Sequence, residues 1–165
     1  MTDSQQSFER HPRFEPVADG SADVWAPTTN DWDATITVRD DVVELHVEVP
    51  MLDEVVETET VAPVVEDGWF ETLERRLEDV DGVTYADVTD LDIERGGRQV
   101  TVEATLEPRP GKTAEDALAI VNYVEGTWFE GVIPGYEYVE AVQAMREQAA
   151  QNATGQDGER SGTPL

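Results

Sequence analysis

The chain has no cysteine and a single lysine, Lys112. The first absence excludes disulfides, thiolate zinc sites and thiol chemistry. The second leaves positive charge almost wholly to arginine, and little of it: 11 Lys plus Arg stand against 37 Asp plus Glu, a net charge of −26. Nucleic acid is a poor partner for such a surface, because phosphate contacts need clustered Lys and Arg. An anionic membrane is disfavoured for the same reason. No apolar run approaches the ~18 residues of a spanning helix. The start, Met1-Thr2-Asp3-Ser4-Gln5-Gln6, lacks the charged-then-apolar pattern of a signal peptide. The expected location is therefore the cytoplasm.

Catalytic motifs are missing too. There is no Gly-x-Ser-x-Gly, phosphate-binding loop or dinucleotide fingerprint. Ser4, Ser7, Ser21 and Ser161 all fall in tails or loops, which leaves no obvious nucleophile. His11 and His46 lie on different elements without a partner at ligand spacing. The acids of Asp90-Leu91-Asp92-Ile93-Glu94 do not make a calcium loop, since Arg95 and Thr101 stand where its glycine and bidentate acid belong. No catalytic residue, metal site or cofactor is expected, and the protein is read as leaning away from enzymes.

What is present is an extreme acidity. In dilute buffer so much like charge repels itself, whereas in molar salt the Debye length shrinks to ~3 Å and the repulsion is screened. The composition reads as that of a halophilic protein. Hydrophobic residues still make up 39% of the chain, and 165 residues are enough for one domain with a buried core and tails.

Along the chain, residues 1–13 form a flexible or short helical segment in which Phe8 leads toward Phe14. Asp19-Gly20-Ser21 reads as a turn, and Asp23 to Ala26 as a possible strand. Trp32, Ala34, Ile36 and Val38 alternate with polar residues, as do Val43, Leu45, Val47 and Val49, a period of two that predicts a hairpin ended by Pro50. A helix follows over Val61–Val80, capped by Thr60 and ended by Gly82 in a left-handed turn. Gly68 inside it suggests a close crossing by another element. A second hairpin runs from Val83 to Ile93 and from Val100 to Leu106 across Gly96-Gly97, with a bulge near Thr89-Asp90 where the alternation slips. Thr113 with Asp116 resembles a capping box that opens a helix with Ala117, Ile120, Val121, Val124 and Trp128 on its apolar face. A last helix places Tyr138, Val142, Met145 and Ala149 on one side, and residues 150–165 read as a disordered tail. The expected fold is α+β, a single domain over residues 14–149 with one antiparallel sheet of four or five strands and helices on one face.

Two phrases carry a resemblance: Glu66-Asp67-Gly68-Trp69-Phe70-Glu71-Thr72-Leu73 and Tyr123-Val124-Glu125-Gly126-Thr127-Trp128-Phe129-Glu130-Gly131-Val132-Ile133-Pro134-Gly135-Tyr136. Over roughly residues 5–145 the chain resembles a haloarchaeal family of small acidic proteins of unknown function, which implies no activity. Its element order also resembles the type III secretion chaperone-like fold of YbjN-type proteins, which implies a small dimeric binding module.

Two surfaces are candidates. Trp69, Phe70, Trp128, Phe129, Tyr136 and Tyr138 are either core or an interface to a protein partner or a second copy. Successive helical residues point about 100° apart, so both rings of a Trp-Phe dyad cannot share one narrow stripe. Arg75, Arg76, Arg109 and Lys112 either meet at one end of the sheet as an anion site, or pair with neighbouring acids. The first reading of function is a non-enzymatic protein-binding or chaperone-like module, a homodimer. The alternative is a small-molecule or anion-binding protein or enzyme using the basic cluster.

Overall fold

Six strands and four helices account for the described residues, which are 2–17, 23–39 and 41–161 of the computed structural model, with side chains through residue 151. The turn read at Asp19-Gly20-Ser21 lies outside them. Helix α1 (Asp3–Arg10) begins at a capping box: the Thr2 hydroxyl accepts from the Gln5 backbone N–H, and the Gln5 side chain accepts from the Thr2 N–H. It buries Phe8 completely, edge-on to Phe14 at 4.8 Å and stacked on Trp25 at 6.1 Å. That aromatic trio fastens the start of the chain to the sheet.

Strands β1 (Phe14–Pro16), β2 (Val24–Pro27), β3 (Ala34–Val38), β4 (Val43–Pro50), β5 (Val88–Arg95) and β6 (Gln99–Leu106) form one sheet in the order β1-β2-β3-β4-β6-β5, antiparallel throughout. The sheet thus has six strands rather than four or five. The extra one, β1, is three residues long and ends in Pro16, too short to show an alternation in sequence. It pairs because Phe14 is held under Phe8.

The inner face of β3, β4 and β6 is fully buried from Ala34 to Val38, Val43 to Val49 and Val100 to Leu106 at every second residue. The outer face carries Thr35, Thr37, Glu44, His46, Glu48, Glu103 and Thr105, none of them buried. One apolar and one polar face is what period-two patterning demands of a half-covered antiparallel sheet.

Helix α2 (Pro63–Leu77) is shorter than expected at both ends. Ala62, not Thr60, is its N-cap, with Pro63 pre-set for the first turn. A 3-10 turn over Val80–Val83 follows, and Gly82 is not left-handed: among the described residues only Gly111 and Gly135 have positive φ. The first arm of the second hairpin accordingly starts at Val88 rather than Val83, with its irregularity between Val88 and Asp90, as the slipped alternation indicates. No atom lies within 4 Å of where a Cβ on Gly68 would stand. Among the described residues no other element comes into contact with that position, contrary to the close crossing expected from its glycine. Gly96 is a true steric requirement, since a Cβ there would stand 2.9 Å from the Gln99 carbonyl oxygen.

Helix α3 (Thr113–Glu130) packs the expected face inward, with Ala117, Ile120, Val121, Val124 and Trp128 all buried. Its start is not a capping box. Lys112 is the N-cap, the Thr113 hydroxyl donates to the Arg109 carbonyl, and Asp116 turns to Arg109 instead. Gly135, at φ 103°, makes the elbow before helix α4 (Glu140–Ser161). Tyr138 lies ahead of α4, bridged to Val56, rather than on its face. The α4 backbone runs past residue 150, where the sequence places the start of the tail.

Candidate binding groove between the last two helices

Both Trp-Phe-Glu phrases fall on helices, and the 100° step per residue resolves them identically: Trp buried, Phe half-buried, Glu exposed. Trp128 is wholly buried, its Nε1 donates to the Pro50 carbonyl at 2.8 Å, and its ring meets Trp32 edge-on at 5.2 Å. Trp69 is buried as well, but its Nε1 has no hydrogen-bond partner. Phe70 lies under the Arg95 guanidinium at 5.5 Å, and Arg95 is held by Asp67 at 2.8 Å. Tyr138 is buried, donating its hydroxyl to the Ile133 carbonyl, with half-buried Tyr136 edge-on at 6.4 Å and Arg146 over its ring. Burial raises the Tyr138 pKa above its ordinary value. Of the six aromatic candidates, Trp69, Trp128 and Tyr138 are core residues. Phe70 is covered by Arg95, Tyr136 packs on Tyr138, and Phe129 is left facing a groove.

That groove, of about 470 Å³, lies between α3 and α4. Phe129 and Gly126 of α3 and Ala141, Ala144 and Met145 of α4 supply its apolar lining, and Glu125 its charge. Asp31 and Asn122 stand at the same opening. No atom lies within 4 Å of a Cβ built on Gly126, so the helix backbone itself is exposed to an incoming group.

Glu125 is buried, with 7% of its surface exposed, and accepts backbone N–H bonds from Trp32 at 2.8 Å and Asp31 at 3.2 Å. It thereby ties the loop before β3 to α3. Desolvation raises its pKa above the ordinary carboxyl value of 4.5, against the two backbone bonds, which favour the charged form. No ion pair compensates it among the described residues. Sequence reasoning missed this residue, although a signal was available: Glu125 is four residues after Val121 and three before Trp128, a charge set inside the apolar stripe of α3.

The basic candidates do not converge. Arg109 grips the buried Asp116 through Nε at 2.8 Å and a terminal nitrogen at 2.5 Å, and Thr84 donates to the same carboxylate at 2.8 Å. The hydrogen bond to Asp116 holds the guanidinium pKa above its ordinary value. Lys112 pairs with Glu115 at 3.6 Å. Arg75 and Arg76 are exposed on α2, and among the described residues no hydrogen bond or ion pair joins them to Arg109 or Lys112. The Arg76 carbonyl instead accepts from the Tyr123 hydroxyl at 2.5 Å.

Elsewhere, His46 lies between Glu48 at 3.0 Å and Glu103 at 3.3 Å on the polar face of the sheet, and His11 packs on Phe14. Among the described residues no group of three His, Asp or Glu is placed to hold a metal, and no helix is long and apolar enough to cross a membrane. The hydroxyl of Ser7 accepts from the Ala114 backbone N–H, tying α1 to the start of α3.

Comparison with known proteins gives no match among curated proteins and none among solved structures. A family model matches residues 9–148, from the last two residues of α1 into α4, and the match contains the whole groove. The chain therefore belongs to that family, described as a family of unknown function (DUF5813).

Proposed function

We propose that the protein is a non-enzymatic binding module that receives a protein partner in the groove between α3 and α4. The observation that carries this reading is the groove itself, where Phe129, Met145 and the open backbone at Gly126 present apolar surface on an otherwise acidic molecule. Apolar surface gathered in a concavity and rimmed by polar groups is the usual form of an interaction site. The alternation of helix, strands, helix, hairpin and helix supports the chaperone-like comparison, from which the chain departs by one strand more before α2 and one helix more at the end. The acidic composition supports a molar-salt cytoplasm of haloarchaeal type as its setting.

The basic cluster supports the alternative poorly, because Arg109 and Lys112 are already engaged by carboxylates. The test is Gly126→Leu, whose Cβ meets no neighbouring side chain or element within 4 Å and whose remaining atoms fill the groove. At molar KCl the immobilised parent retains a defined partner from extract, or self-associates by light scattering, and the variant does neither at unchanged melting temperature. Equal retention and equal mass for parent and variant would remove the groove from the account.

A further inference from the structure

Among the described residues two carboxylates are buried, Asp116 and Glu125. They are treated differently by the fold. Asp116 is neutralised by Arg109, whereas Glu125 has only the backbone N–H groups of Asp31 and Trp32. A buried carboxylate is costly without a counter-charge. Each of its oxygens accepts one of those bonds and retains further acceptor capacity. The residue lines the groove beside Phe129 and Met145, and Asp31 adds a second negative charge at the same opening.

Salt decides which of the acids is able to discriminate. In molar KCl an exposed pair of charges is screened within ~3 Å, while a buried pair is screened much less. Nearly all of the 37 acidic residues are therefore poor recognition elements in the medium to which this composition is suited. Among the described residues Glu125, buried and without a counter-charge, is the exception, since the other buried carboxylate, Asp116, is already paired with Arg109. A second copy of the chain, with 11 Lys plus Arg among 165 residues, is a sparse source of the missing cation.

We infer that the groove takes a cationic head joined to an apolar stem, in the form of an arginine or lysine side chain on an otherwise apolar segment of a different protein, with Glu125 as its counter-charge. The stem lies along Phe129, Ala144 and Met145, and the head completes the acceptors of the buried carboxylate. A guanidinium matches a carboxylate with two parallel donors, so arginine is the better occupant. This rests on the groove being the binding site and adds the chemistry of what fills it.

The experiment uses n-butylguanidinium and its neutral counterpart n-butylurea as side-chain probes, titrated in molar KCl and read from the ¹³C methyl resonance of Met145. The guanidinium gives a saturable shift with an affinity about tenfold above that of the urea, the ratio expected of one charge-assisted contact. In Glu125→Gln the two probes become equal, and in Gly126→Leu neither shifts Met145. Equal affinity of the probes for the parent overturns the cationic assignment while leaving an apolar groove. A Met145 resonance that neither probe moves overturns both the assignment and the groove.

Discussion

Trp128 and Phe129 are adjacent in sequence and do opposite things. Trp128→Phe leaves the Pro50 carbonyl without its donor and opens space beside Trp32, so it should destabilise the fold by about 2–4 kcal/mol in a denaturant titration. Phe129→Ala removes a half-buried ring and should cost about 1 kcal/mol. Glu125 offers a test by pH. Its folded pKa lies above the ordinary 4.5, so the folded state holds this proton more tightly than the unfolded chain does. The contribution of Glu125 to stability is then full below pH 4.5 and falls as pH rises through the folded value. Relative to Glu125→Gln, which carries no such proton, the parent should lose stability on going upward from pH 4.5. A flat difference between the two pH curves would show that burial does not govern this carboxyl.

At the scale of elements, the parts legible in sequence were those with a long, regular period. The β3–β4 hairpin and the β6 strand announce themselves because each inward residue is apolar and each outward one polar, and α3 does so through Ala117, Ile120, Val121, Val124 and Trp128 at helical spacing. β1 was illegible, because three residues cannot show a period and its pairing depends on Phe8, a contact made from another element. The α3 start was misread for a related reason. Thr113 and Asp116 have capping-box spacing, but Arg109, four residues before Thr113, recruits Asp116 with a stronger, charge-assisted bond. The same contact explains why the basic cluster never forms. Its members were grouped by a strand expected to start at Val83 beside Leu106, whereas that strand starts at Val88 and acids close in sequence took Arg109 and Lys112 first. The groove was half legible: the odd ring, Phe129, follows from helical geometry, whereas Glu125 was hidden within an apolar stripe. Gly68 allows a test at this scale. With nothing near its Cβ position, Gly68→Ala should stabilise α2 by about 1 kcal/mol, read from the melting transition in molar KCl. Destabilisation would mean that some element does approach there.

For the whole molecule, charge and fold meet in the dependence on salt. The pairs made by Arg39, Arg95, Arg98, Arg109 and Lys112 engage only a few of the 37 acidic residues. The polar face of the sheet even sets Asp92 opposite Glu103, a like-charge pair that opposes the pairing of β5 with β6. As KCl falls from molar to ~0.01 M the Debye length grows to ~30 Å, comparable with a small domain, and these repulsions add. The melting temperature should drop steeply across that range; an unchanged value would contradict the halophilic reading. Binding is then expected only where surface is apolar or charge is buried, and the α3–α4 groove supplies both. The most direct measurement replaces Phe129 in one protein and His46 in another by p-benzoylphenylalanine, and irradiates each in extract at molar KCl. Position 129, in the groove, should yield a defined adduct with another protein, and position 46, on the outer sheet face, none. No adduct from position 129, or the same adducts from both positions, would contradict the account.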